Sequence, residues 1–245
     1  MPIHPDILAA VVVTATIQSL FGVGVLLFGT PILLVLGYEF VTALAVLLPI
    51  SLSVNLLQVS KHHAHIDRRF YWKVLTLSVP CIVVFLLLIT RATLNIGPLI
   101  GIFLIIVALK SVSEPISRFI ESLVRYERTY FMAMGSLHGL TNLGGSLLTA
   151  IVHSKHYEKD VARVTTAVSY GTFALSQLLT LLLSLRRFPV PFSEAVVYVL
   201  AGVGTFLATE QLVYAKIGAD NYRTIFAWLL FCSGVVLILK TWLVA

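Results

Sequence analysis

Two apolar runs of this chain are too long to be single membrane helices, and both are interrupted by glycines where a bilayer least tolerates broken backbone. As one straight helix, Ile7 to Tyr38 would measure about 48 Å at ~1.5 Å per residue, against a hydrocarbon core of about 30 Å. Its middle reads FGVGVLLFGTP, Phe21 to Pro31. The second long run, Thr129 to Ser154, carries GLTNLGGSLLT, Gly139 to Thr149. Lipid supplies no hydrogen-bond partners, so irregular backbone survives at that depth only where protein or a wet cavity satisfies it.

Six further runs with almost no charge surround these two: Val41 to Ser60, Val74 to Thr90, Leu94 to Leu109, Val164 to Leu185, Ala195 to Thr209 and Thr224 to Leu239. With 58% of residues hydrophobic and 11% charged, the chain reads as an all-α integral membrane protein. Its 245 residues leave no room for a separate soluble domain of ~100 residues beside the membrane segments. The eight segments fall into two groups of four. Sliding the sequence by 120 residues superposes Gly24 on Gly144, Leu27 on Leu147 and Val41 on Val161, with the two broken stretches in register. The expected organisation is one compact membrane domain: a first repeat over 1–112, a linker over 113–128 and a second repeat over 129–245. In the linker, SEPISRFIESLVRYER places Ile116, Phe119, Ile120 and Leu123 on one helical face, with Ser113 as cap and Pro115 in the first turn. Such a helix would lie on the membrane surface.

The net charge of +6 does not point to nucleic acid, because the Lys and Arg residues flank the apolar runs as orientation signals do. If all eight segments span, the seventeen Lys and Arg residues divide 11 to 6 between the two sides. If the first and fifth fold back as re-entrant hairpins, only Arg91, Arg186, Arg187 and Lys240 remain on the minority side, a division of 13 to 4. The hairpin arrangement leaves three full spans per half. An odd number of spans inverts the second repeat relative to the first. Both termini would then lie outside the cytoplasm, with the basic loop KHHAHIDRR, Lys61 to Arg69, inside it. No cleavable leader is visible in MPIHPD, so the first segment is expected to stay in the mature protein. Cys81 and Cys232 stand alone in apolar runs and are expected as small core residues.

Half-helices meeting at a break carry partial positive charge and unpaired N–H donors at their N-termini, an arrangement suited to an anionic solute. Paired breaks at matching places in two halves mark the central site of a transporter, whereas glycines alone can also serve close helix packing. The candidate binding residues are Gly22 and Gly24 at the first break and Asn142, Gly144, Gly145 and Ser146 at the second. Arg163, with Thr165 two residues on, follows the second break and could supply a full positive charge, or anchor the helix end at the interface.

The stretches FGVGVLLFGTPILLVLG, GSLHGLTNLGGSLLT and VARVTTAVSY together resemble the TauE/SafE sulfite exporter-like permeases over nearly the whole chain. The family's Gly-x-Gly-Gly-Gly run is reduced here to Gly22, Val23, Gly24, Val25, Leu26, and its Gly-Gly-Pro to Gly144, Gly145, Ser146. The resemblance implies a multi-pass carrier in the cell (plasma or inner) membrane. It would move small sulfur-containing anions such as sulfite, sulfonates, sulfoacetate or thiosulfate, with a proton or other ion as coupling partner and no cofactor.

Several polar residues have two readings. His138 could titrate during transport or be a buried, hydrogen-bonded histidine. Asn55 and Gln58 could face a cavity or bond a neighbouring helix. Glu210 could carry a proton or pair with a basic residue such as Lys216. His62, His63 and His65 lack the carboxylate or cysteine neighbours of a metal site beyond Asp67. No HExxH or GxSxG is present, and Ser136 and His138 point to different helical faces, which argues against an enzyme. An anion channel is the alternative, since it can share an inverted repeat.

Overall fold

The computed structural model describes residues 3–91, 96–185, 188–213, 228 and 231–239, and every regular element among them is helical. In chain order these are α1 (Pro5–Phe21), α2 (Val25–Leu36), α3 (Phe40–His62), α4 (Arg68–Lys73), α5 (Val79–Arg91), α6 (Gly97–Val112), α7 (Glu114–Val124), α8 (Glu127–Thr141), α9 (Gly145–Ser154), α10 (Lys159–Ser184) and α11 (Phe192–Val213). A π-helical turn at Val74–Ser78 joins α4 to α5 as one helix, Arg68–Arg91. Among the described residues, four helices are long and apolar enough to cross a membrane: Phe40–Lys61, Arg68–Arg91, Lys159–Ser184 and Phe192–Glu210. The protein is thus all-α and multi-pass.

Neither long run is one straight helix; each is broken into two shorter ones. At the open end of the first, the Tyr38 hydroxyl just beyond α2 donates to Asp6 in the first turn of α1, at 2.7 Å. The start and finish of the α1–α2 pair are therefore side by side, and the pair is a hairpin. In the second run, Lys155 after α9 forms an ion pair with Glu127 at the start of α8, and the Tyr130 hydroxyl donates to the Leu147 carbonyl at 2.8 Å. The α8–α9 pair closes on itself in the same way.

The two hairpins open toward opposite ends of α3. That helix begins beside Tyr38 and carries Lys61 in its last turn, roughly 30 Å away at ~1.5 Å per residue. Lys61 pairs with Glu210 near the end of α11, and the loop just beyond it meets the second hairpin through Tyr157, whose hydroxyl donates to Asp67. Each hairpin also docks on the other half of the chain. The first arm α1 packs along α11, and the first arm α8 packs along α5. Residue size explains the second contact: a methyl group at Gly135 or Gly139 would lie within 2.4 or 2.6 Å of the backbone of Ser78 or Ile82. This small-xxx-small spacing lets two helices approach without a hydrophobic driving force between them. At the centre, α3 and α10 pack along one another.

Some expectations need correction. Cys81 is half-buried and Cys232 exposed, so neither is a core residue; in a bilayer the outward face is as apolar as the core, and apolarity does not identify the inside. Ser113 stands before α7 without a side-chain capping bond, while Pro115 does occupy its first turn. Lys216 and Arg223, Arg186 and Arg187, Lys240 and much of the eighth segment lie outside the described residues.

Candidate functional site

The two breaks share several features at the 120-residue offset. Helix α1 ends at Gly22, whose φ of +72° is left-handed and whose N–H donates to the Gln18 carbonyl at 2.8 Å. Helix α8 ends at Asn142, with φ of +64°, whose N–H donates to the His138 carbonyl at 2.8 Å. Glycine and asparagine are the residues that reach this conformation at least cost. Gly24 and Gly144 then bring the returning chain close: a methyl group at Gly24 would lie 3.0 Å from the Thr14 carbonyl, and one at Gly144 would lie 2.9 Å from the Met134 carbonyl.

A side chain spans each gap. Gln18 Oε1 accepts from the Val25 N–H at 2.9 Å, and His138 Nδ1 accepts from the Gly144 N–H at 3.1 Å. Both side chains are fully buried, and each thereby satisfies an N–H that the start of a helix leaves without a partner. The geometry fixes what remains. With its oxygen engaged, Gln18 presents an NH2; with Nδ1 accepting, neutral His138 carries its proton on Nε2. Neither Gln18 Nε2 nor His138 Nε2 has a partner. The breaks touch through Asn142, whose Nδ2 donates to Thr30 Oγ1 of α2 at 2.8 Å.

Around the second break lies a buried set that sequence reasoning reached only in part. A methyl group at Gly145 would be 2.4 Å from the Tyr170 hydroxyl, so the glycine makes room for that ring. The Tyr170 hydroxyl has no partner. Phe173 stacks obliquely on His138 with ring centroids 4.8 Å apart, and Gln177 Nε2 donates to the His138 carbonyl. Asn55 Nδ2 bonds the Ser51 carbonyl of its own helix at 2.7 Å, leaving Oδ1 unpartnered, and both amide atoms of Gln58 are unpartnered. Neither residue bonds a neighbouring helix as the packing reading required. Unsatisfied polar atoms in a dry interior cost about 1–3 kcal/mol each, so a group of them marks a place that water or solute fills.

The remaining candidates sit differently. Ser146 is buried, with its hydroxyl on the Leu143 carbonyl at 3.0 Å. Thr165 accepts from the Asp67 N–H at 3.1 Å, tying α10 to the loop after α3. Arg163 is ion-paired with Glu210, whose other oxygen holds Lys61 at 2.8 Å. Glu210 therefore has two basic partners among the described residues, where the sequence suggested Lys216. In the same end region, burial would raise the carboxyl of Asp67, but the Tyr157 hydroxyl, the Phe70 and Arg69 N–H groups and the Lys155 charge together hold it below the ordinary carboxylate range. His63 and His65 are exposed on a 3-10 turn. Gln18 and Tyr170 were not singled out from sequence; the signal that could have found Gln18 is its place opposite His138 at the 120-residue offset.

Two opposed broken hairpins inside a bundle of spanning helices, with buried polar atoms left open at the breaks, define a multi-pass membrane protein of the transporter class. The sequence model of the sulfite exporter TauE/SafE family matches residues 7–237, and the chain belongs to that family. It is a family of membrane transporters, not of enzymes. Neither curated proteins nor solved structures give a match to this chain.

Proposed function

We propose that the protein is a secondary transporter carrying small sulfur oxyanions such as sulfite or sulfonates across the cytoplasmic membrane. The observation that supports this reading most directly is the equivalence of the two breaks. Each ends a half-helix in the left-handed conformation, each is spanned by a buried side chain, and each leaves an N–H donor open beside the N-terminus of a second half-helix. The two N-termini together offer roughly one positive charge from their backbone dipoles, enough to favour an anion.

In this reading the two groups of segments are an inverted repeat, because the hairpins open to opposite ends and each docks on a helix of the other half. The solute contacts are at Gly22, Gly24, Asn142, Gly144, Gly145 and Ser146, with Gln18 and His138 added as donors. Arg163 and Thr165 belong to the end that carries most of the basic residues, which the positive-inside rule assigns to the cytoplasm. There Arg163, paired with Glu210, stands where an anion would leave or arrive. Counterflow in proteoliposomes tests the reading: saturable exchange of internal and external labelled sulfite supports a carrier. Flux that rises linearly with concentration and shows no counterflow would instead establish a channel.

A further inference from the structure

Among the described residues, no Lys, Arg, Asp or Glu is buried; the buried polar groups at the breaks are all neutral, among them Gln18, Thr30, Asn55, His138, Asn142 and Gln177. Of the charged residues on the same helices, Arg163 and Lys61 are already paired with Glu210 at the basic end. We propose that the site at the two breaks accepts singly charged sulfur oxyanions and rejects dianions. The proposal rests on the transport reading above and names the charge state that the site can hold.

Three features lead to it. The dehydration cost of an ion rises with the square of its charge, and a site without a fixed counter-charge cannot offset the second unit. The half-helices α2 and α9 each contribute roughly half a positive charge at their N-termini, about one in total, which balances one negative charge. The open atoms also set a limit. Gln18 Nε2 and His138 Nε2 are donors for an anion's oxygens, but Asn55 Oδ1 and Gln177 Oε1 are open acceptors. Their orientation is fixed, because the nitrogen of each amide already donates to a backbone carbonyl, that of Ser51 and that of His138. Carbonyl oxygens facing a solute repel added negative charge, and a dianion meets them more strongly than a monoanion.

Sulfite tests this directly, since it exists as a monoanion below its second ionisation and as a dianion above it. Methanesulfonate is a monoanion throughout, and sulfate a dianion. With the full chain in lipid nanodiscs, calorimetric titration at pH values on both sides of that ionisation should show methanesulfonate binding unchanged. Sulfite should weaken about tenfold per pH unit on the alkaline side, in proportion to the bisulfite remaining. Sulfate should bind at least ~tenfold more weakly than methanesulfonate, or not at all. Sulfate binding equal to methanesulfonate, or alkaline sulfite as tight as acidic, overturns the proposal while leaving sulfur-anion transport intact. Binding of none of the three ions overturns both.

Protein titration is separated by a variant. Within the buried group the titratable side chains are His138 and Tyr170, with Arg163, Glu210, Lys61, Asp67 and Tyr157 toward the basic end of α3 and α10. His138→Gln installs the residue that serves the first hairpin and keeps an N–H donor. Its affinity for sulfite should fall, because a donor at the site has changed, while the weakening of about tenfold per pH unit on the alkaline side should persist. A profile that becomes flat in this variant assigns the pH dependence to the histidine and overturns the proposal. The methanesulfonate and sulfate comparison on the parent protein decides the case if the variant does not fold.

Discussion

The hairpins α1–α2 and α8–α9 are alike at their tips and unlike at their mouths. At the tips, Gln18 and His138 each accept a backbone N–H across the gap, that of Val25 in the first and that of Gly144, one position earlier at the 120-residue offset, in the second, and Gly22 and Asn142 take the same left-handed turn. At the mouths the chemistry diverges. The first is held by the neutral hydroxyl of Tyr38 on Asp6 and by the His4 N–H on the Tyr198 hydroxyl at 3.2 Å. The second is held by charge: Glu127 pairs with both Lys73 and Lys155, and the Tyr157 hydroxyl donates to Asp67. A buried, low-dielectric tip permits few solutions because every backbone N–H must find a partner. The mouths meet water, where many pairings suffice, and the asymmetry of basic residues between the two faces decides which are used.

The largest effect should come from the place where the tips differ. Opposite Gly145 at the 120-residue offset stands Val25, fully buried, so the first break holds a side chain where the second has none. The ring of Tyr170 takes the space. Gly145→Leu should abolish counterflow while the protein still inserts in the membrane, and Gly145→Leu with Tyr170→Ala should recover part of it. Overpacking of this kind costs about 1–3 kcal/mol or more. Normal transport by the single variant would show that the two breaks are not comparable working parts.

Next come the spanning side chains. Gln18→Leu and His138→Leu each leave a buried N–H unpaired, Val25 in one case and Gly144 in the other, and each should lose about 1–3 kcal/mol in reversible unfolding from lipid. Similar losses in the two variants support equivalence of the tips, and His138→Gln should lose less than either. A large loss in one hairpin and none in the other breaks the comparison.

The mouths should differ in their response to acid. Hydrogen bonds from Lys155 and then Lys73 hold the Glu127 carboxyl below its ordinary value, outweighing partial burial. A depressed folded-state pKa contributes stability that is present above the unfolded value and is lost as pH falls through the folded one. Thermal stability of the parent should therefore decline on acidification below the ordinary Glu range. In Glu127→Gln that portion of the decline should be absent, with a loss near neutral pH of about 1 kcal/mol or less for partly exposed pairs. The smallest effect belongs to Gly22→Asn, which copies the second turn onto the first: a side chain there meets nothing within 4 Å, and the change should stay within about 0.5 kcal/mol. Gly22→Val, which cannot take the left-handed turn cheaply, should lose about 1–2 kcal/mol in the same assay.

The sequence by itself determined the membrane class and the positions of the breaks, because lengths of apolar runs and the glycines inside them are local properties. Charge counting also favoured hairpins over straight spans, since the two alternatives place the same seventeen basic residues differently. Only the tertiary structure decided what single polar residues do. A glutamine or histidine in an apolar run reads the same whether it spans a break, packs or meets solute; Gln18 and His138 are distinguished by backbone N–H groups that only the fold brings to them. Arg163 reads from sequence as a free charge near the break. Glu210, 47 residues away, and Lys61 at the far end of α3 turn it into one member of a paired group, because ion pairs form between helices whose register no local pattern encodes. The space at Gly145 is likewise set by Tyr170 on another helix, and a sequence records the missing side chain but not the ring that fills its place.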